Sequence, residues 1–439
     1  MSFENEQDEL ARKKMLRKLR KEESVVKEKL PSHARAQFER GNFDVDAMQT
    51  SHASQAAPQL KPVQLGNLTI NQPVILSPMA GVTNWPFRVL CEEYGPDGLY
   101  VDEMITARAL VANNDKAWRL ATFAPSEKVR SLQLYGVNPD WVEKAVQLVI
   151  DKVHPDHIDL NYGCPVPKIT RHGGGSALPW KQDLFREDIR RVVKACEPEG
   201  IPVTAKIRVG IDADHLTFMQ AGHIAQEEGA AAVTLHARTT AEYYGGHSNW
   251  DDIAALKQEL SIPVFGNGDI FSAQDALDMV SYTGCDGVAI GRGCQGRPWL
   301  FEDIRHAFAG SDERVNPNLG YVVNVIKRHV QMLVKFYNGD ESMAVRDIRK
   351  HIAWYFKGYA VGSAVRVNLM KCENVAQLNA VLDELDPSIE MAEQLKDAPR
   401  GRIRYQKKVH LPQGWLDSRF TTKQEREILF GEDPLDASY

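Results

Sequence analysis

A cysteine on a turn between Gly163 and Pro165, at the end of the run Asp159-Leu160-Asn161-Tyr162, is the residue of this chain best placed to do chemistry. A thiol that only filled the core would sit within the apolar run itself. On a turn where a strand ends, Cys164 can deliver or take a proton, and that is where an α/β barrel carries its active residues. Pro167-Lys168 and Arg171-His172-Gly173-Gly174-Gly175-Ser176 follow at once, so a glycine-rich segment lies beside the thiol. The alternative is a buried structural thiol next to a glycine hinge.

Further candidates recur at the ends of other apolar runs. Lys206, closing one of them, could hold negative charge on a bound group or form a Schiff base, and Arg208 shares its side of the strand. Gln133 offers an amide donor and acceptor suited to the edge of a heterocycle. His236, followed by Arg238, reads as an acid, a phosphate ligand or a satisfied barrel histidine. Two glycine turns, Gly266-Asn267-Gly268-Asp269-Ile270 and Gly291-Arg292-Gly293, suit a phosphate held by backbone N–H groups, with Arg292 adding charge.

Eight apolar runs must position these groups: 74–76, 99–102, 131–134, 157–160, 203–207, 232–235, 264–265 and 287–290. Longer amphipathic segments separate them, which is the pattern of repeated βα units, and eight in roughly 240 residues is the count and size of a (β/α)₈ TIM barrel. The two glycine turns then follow the seventh and eighth strands, the phosphate position of such barrels. A doubly wound sheet would place a G-x-G-x-x-G after its first strand, and none is present there.

Beyond about Ile304 the spacing of Val322, Val325, Ile326, His329, Met332, Leu333 and Phe336 predicts a core-facing helix. Ile348, Ile352, Tyr355, Phe356 and Tyr359 predict another, with Arg346, Arg349, Lys350 and Lys357 on a different side, either a solvated face or a grip on phosphates. Residues 1–60 read as a charged extension with a basic cluster at 12–21, 61–312 as the barrel, 313–400 as an all-helical domain and 401–439 as a tail without a clear fold signal.

The 439 residues, 43% of them hydrophobic, are enough for a full core. Six cysteines without a C-x-x-C pair do not suggest a disulfide framework or a zinc site, so no metal is expected and the compartment reads as cytoplasmic. No apolar leader or spanning segment is evident, so no membrane is expected, and the chain is read as a monomer. A net charge of −6 argues against coating nucleic acid through overall charge but leaves a local basic face open.

Taken together, Ser77-Pro78-Met79-Ala80-Gly81-Val82-Thr83-Asn84, Gln133 before Tyr135-Gly136, Asn161-Tyr162-Gly163-Cys164-Pro165, Lys206-Ile207-Arg208, His236-Ala237-Arg238-Thr239 and the Gly266–Ile270 turn closely resemble flavin-dependent tRNA dihydrouridine synthases of the bacterial B-like type. The resemblance runs from about residue 63 to about residue 369. It includes Arg346-Asp347-Ile348-Arg349-Lys350-His351-Ile352-Ala353-Trp354-Tyr355, similar to that family's tRNA-binding helices. It implies FMN at the barrel mouth, NADPH (or NADH) as reductant, hydride delivery to C6 of a uracil ring and protonation of C5 by Cys164. By position, Pro78, Met79, Ala80, Gln133 and Lys206 would hold the flavin ring. Asn267, Gly268, Asp269, Gly291 and Arg292 would take its phosphate. His236 is placed with the cofactor, Asn161 and Arg238 with the substrate, and Arg346, Arg349, Lys350 and Lys357 with tRNA. A dihydroorotate-type dehydrogenase or ene reductase shares the phosphate turns, but the helical appendage and its basic stripe argue against it. A non-catalytic RNA-binding protein on this fold would not need Cys164 and Lys206.

Overall fold

The computed structural model describes residues 58–401 and 408–430, which all belong to one compact unit. The extension read over residues 1–60 lies outside the described residues as far as residue 57, as do 402–407 and 431–439 of the tail.

The chain first forms a hairpin, β1 (Val63–Leu65) against β2 (Leu68–Ile70), turning through Gly66 at φ 55°. Val63, Leu65 and Ile70 face inward and pack with Ile75, Leu99, Phe265 and Ala289, closing the barrel floor at the N-terminal ends of its strands. Nine parallel strands follow: β3 (Val74–Leu76), β4 (Leu99–Tyr100), β5 (Ile105–Thr106), β6 (Ser131–Tyr135), β7 (His157–Tyr162), β8 (Val203–Arg208), β9 (Ala232–His236), β10 (Val264–Asn267) and β11 (Gly287–Ile290). Their order is β4-β3-β11-β10-β9-β8-β7-β6-β5, and β4 and β5 are two halves of one stretch. The Asp102 N–H donates to the Ser131 carbonyl at 3.0 Å, and this link joins that stretch to β6 and closes the ring. The result is a TIM barrel of eight strands with the second interrupted. Asp102 supplies a reason for the break: its carboxylate accepts from the Glu103 N–H at 2.6 Å and from Arg88 at 2.6 Å, so a local side-chain bond replaces the ladder. All eight expected strands are present, several one or two residues longer than their apolar runs.

After the barrel come helices Leu319–Phe336, Glu341–Tyr355, Ser363–Lys371 and Val375–Asp383. Asn318, Asp340 and Asn374 cap three of them by accepting a backbone N–H three residues on. The expected stripes are the buried faces. Ile326, Leu333, Ile348, Ile352 and Tyr355 form a second core, which takes in Leu90 and Trp299 from the barrel.

The tail departs from the reading of no fold signal. Trp415 is 1% exposed, and its indole N–H donates to the Ala177 carbonyl at 3.0 Å. Lys181, fully buried, pairs with Glu425 at 2.7 Å, and a helix over Lys423–Phe430 lies along the barrel rim. Single tryptophans and charges give no period, so the segment is invisible until the barrel supplies its partners.

Candidate active site

The C-terminal strand ends open into a cavity of about 350 Å³, within the ~300–1,000 Å³ of small-molecule and cofactor sites. Pro78, Met79 and Ala80 form one wall, Asn161 and Cys164 another, and Lys206 and His236 the floor side. Asn267, Gly268, Asp269, Gly291 and Arg292 complete it. The structure thus brings together residues from six strand ends.

Cys164 is fixed from behind. Its carbonyl accepts from the Ser176 N–H at 3.1 Å and the Ser176 hydroxyl at 3.0 Å, and Thr240 donates to that hydroxyl at 2.7 Å. Gly175 sits at φ 56°, and a Cβ there would stand 2.5 Å from the Cys164 carbonyl oxygen, so only glycine fits. Asn161 turns its side-chain oxygen to the Gly163 and Cys164 N–H groups at 3.1 and 3.0 Å. Burial raises the thiol pKa against the opposing pull of the Val166 N–H and Arg208. Burial therefore favours the neutral, protonated thiol at Cys164.

The floor is a polar network. Lys206 donates to the Asn267 side chain at 3.0 Å, and Asn267 donates to the Ala289 carbonyl at 2.6 Å. Burial lowers the Lys206 pKa while Asp159 works in the opposite direction. Gln133 lies one layer below the cavity, fully buried. Its amide donates to Asp159 at 2.6 Å and accepts from Asn161 at 2.8 Å, so it orients Asn161. Arg208 is also buried but lines the cavity, donating to the carbonyls of Gly163, Thr239 and Tyr243 at 2.8 to 3.0 Å.

Cations collect at the opposite corner. Asp269 accepts from Arg238 at 2.7 Å, from Arg292 at 3.1 Å and from the Ser248 N–H at 2.8 Å. Burial opposes its charge, yet Arg238 and Arg292 outweigh that and hold the carboxyl below the usual range. Arg238 itself is 1% exposed, anchored on the Gly245 and Gly246 carbonyls, and does not line the cavity. At Gly268, φ is 135° and a Cβ would meet Ser248 at 2.7 Å. Burial, and then Arg208, Lys206, Arg238 and Arg292 around it, push the His236 pKa well below the histidine range. His236 is consequently neutral, and the four cations favour an anionic guest.

The expected basic face divides. Arg346 is exposed and Lys350 pairs with Asp347 at 2.8 Å, whereas Arg349 donates to the Cys372 carbonyl at 2.8 Å and Lys357 to the Pro399 carbonyl. Lys350 also lies next to Gly81, whose N–H donates to Glu103 at 2.5 Å, so the helix touches the first barrel loop. Trp354, one turn beyond Lys350, lines the cavity. The sequence offered it only as part of a helical stretch, and its i, i+4 relation to Lys350 was the available signal. Met104, Tyr244 and Phe271 are further cavity residues not singled out as site residues, and Arg292 lies over the Tyr244 and Phe271 rings at 5.1 and 5.5 Å. Among the described residues, no group of three or more His, Cys, Asp or Glu is placed to hold a metal ion, and no helix is long and apolar enough to cross a membrane.

Known proteins share this arrangement in sequence. The family model described as Dihydrouridine synthase (Dus) matches residues 75–392. A probable tRNA-dihydrouridine synthase of Mycobacterium tuberculosis is 48% identical over 376 residues, covering 84% of this chain and 95% of that protein. The tRNA-dihydrouridine synthase B of Pseudomonas putida is 35% identical over 332 residues, covering 75% and 96%. That of Pasteurella multocida is 36% identical over 296 residues, covering 67% and 87%. The chain belongs to the dihydrouridine synthase family, with bacterial B-type proteins among its relatives.

Proposed function

We propose that this protein is a tRNA dihydrouridine synthase that reduces the C5=C6 bond of specific uridines, using FMN in the cavity and NADPH, or NADH, as reductant. The observation that carries the reading is Cys164, held protonated by burial and pinned by Asn161, Gly175 and Ser176 at the edge of a cation-lined cavity.

The residues present fit FMN. The close approach at Gly268 and the lining cations Arg292 and Lys206 suit a phosphate and an electron-rich ring edge, with no carboxylate but Asp269 on the wall. Pro78, Met79, Ala80 and Lys206 would hold the ring, and Asn267, Gly268, Asp269, Gly291 and Arg292 the phosphate end. Gln133 would act through Asn161. When bound, the flavin supplies the hydride that adds to C6. Cys164 donates its proton to C5, so the uracil gains two hydrogens while the nicotinamide is oxidised. Asn161 orients the thiol, Lys206 stabilises charge, and His236, neutral, lends a hydrogen bond. Arg238 supports the substrate side only indirectly, by holding Asp269. A target uridine must leave its stack to reach this depth, costing a few kcal/mol. Phosphate contacts from Arg346 and Lys350, on the Glu341–Tyr355 helix that also carries Arg349, would offset that cost, while Lys357 lies in the turn beyond its end. The enzyme would act as a monomer in the cytoplasm.

The test is a reconstituted reaction of tRNA, NADPH and the purified flavoprotein, read by mass spectrometry of the nucleosides. Dihydrouridine should form, and Cys164→Ala should retain flavin and its reduction while losing product about 10²–10⁴-fold. Full activity in that variant would remove Cys164 from the mechanism.

A further inference from the structure

A second cavity of about 180 Å³ opens on the barrel rim, across the Pro165–Ile169 segment from the first. Cys164, Pro165 and Val166 line the first cavity, and Lys168, Ile169, Arg171 and His172 line the second. One short segment, a turn leading into the helix Pro167–Thr170, thus serves both. The far walls are Tyr135 and Trp141, with Arg108 at one side, and Ile428, Leu429 and Phe430 of the tail helix close it. No acidic residue is among its described lining. The closing wall is firmly built, because Arg426 of the same helix pairs with Asp183 at 3.0 Å and Glu187 at 2.9 Å. Ile428 nevertheless stays 65% exposed at the mouth, which keeps the site open to solution.

Flat aromatic and apolar walls whose charged lining residues are all basic match a nucleotide, a planar base joined to a phosphate. The volume suits one base and falls below the ~300 Å³ at which small-molecule cofactor sites begin. We propose that this cavity is a subsite for the unpaired RNA nucleotide next to the reacting uridine, its base against Trp141 and Tyr135 and its phosphate toward Arg171 and Lys168. The proposal rests on the tRNA-modifying reading above. It assigns the 408–430 segment a part in substrate recognition: the tail supplies the wall that turns an open rim into a pocket.

The experiment uses the full-length flavoprotein and two RNAs, a tRNA transcript and the same RNA with the base adjacent to the target uridine removed. Trp141→Ala should raise KM for the intact RNA about tenfold or more, in line with loss of a base–aromatic stack, and Trp141→Phe should restore most of it. The abasic RNA should be a poorer substrate for the wild type by a similar factor, yet bind wild type and Trp141→Ala alike. Effects that multiply, or a KM unchanged by Trp141→Ala, would overturn the subsite. So would a shift in the NADPH dependence of flavin reduction with the RNA dependence unchanged, since the adenosine half of the reductant shares the same chemistry. Absence of dihydrouridine with the wild-type enzyme would instead refute the underlying function.

Discussion

On the mechanism proposed above, the thiol of Cys164 is the group on which both the chemistry and its pH dependence would turn. An acid must carry its proton when the base arrives, and burial raises this pKa while Val166 and Arg208 only partly oppose it. The protonated form therefore persists through neutral pH and is lost as pH rises through the raised value. In rapid-mixing reoxidation of prereduced enzyme by tRNA, the limb due to the thiol should appear only above the ordinary thiol value of about 8.5, whereas a limb from Lys206, whose pKa burial lowers to about 8, would come first. His236 adds no limb near neutral pH, because burial and four surrounding cations keep it neutral. A decline that began near pH 7 and persisted in Lys206→Arg, which removes the lysine titration, would mean a thiol activated toward its anion, and a nucleophilic rather than an acidic Cys164. The cysteine itself was legible because Gly163 and Pro165 mark a turn at a strand end. Its supports were not: Gly175 and Ser176 were visible as a glycine-rich run, but that they pack behind Cys164 depends on the three-dimensional turn.

Among the elements, the barrel strands were legible and the tail was not, for one physical reason. Parallel strands covered on both faces leave unbroken apolar runs, so β6, β7, β8 and β9 announce themselves. The split between β4 and β5 depends on where one carboxylate, Asp102, finds its donors, and the three-residue strands of the hairpin are too short to show a period. The 408–430 segment holds on through isolated anchors some 240 positions away along the chain, such as Thr170 donating to the His410 carbonyl and Trp415 against Gly173, where a Cβ would stand 2.5 Å from the indole. These anchors all meet the stretch that follows Cys164. Trp415→Ala removes the largest of them and should cost about 3–5 kcal/mol in unfolding free energy. It should also speed alkylation of Cys164 by iodoacetamide, because Ala177, to which the indole bonds, adjoins the Gly175-Ser176 support of that loop. Thermal denaturation and a timed alkylation series check the two effects; loss of stability without faster alkylation would confine the tail to a structural role.

For the molecule as a whole, a net charge of −6 means that any grip on RNA is local, and the described helices show where it can be. The four basic residues that looked equivalent along one helix have different fates. Arg346 faces solvent, Lys350 shares its charge with Asp347 beside Gly81, and Arg349 and Lys357 are committed to the carbonyls of Cys372 and Pro399. Helical spacing gives the side on which a residue lies but not the carbonyl a later segment brings to it, which is why the sequence could not separate them. The same helix reaches the barrel through Lys350 and places Trp354 on the cavity wall, so on the proposed reading RNA held at Arg346 would share a helix with the cavity wall. Arg346→Ala should lower the slope of log affinity against log salt by about 0.7–0.9, the value of one phosphate contact, and weaken binding across different tRNAs alike. Arg349→Ala should leave that slope nearly unchanged and instead lower the melting temperature, since it orphans the Cys372 carbonyl at the price of roughly 1–3 kcal/mol. Titrations of tRNA at several salt concentrations, with a melting curve for each variant, separate the two; equal slopes for wild type and Arg346→Ala would move the phosphate grip off this helix and onto the Arg171 side of the rim.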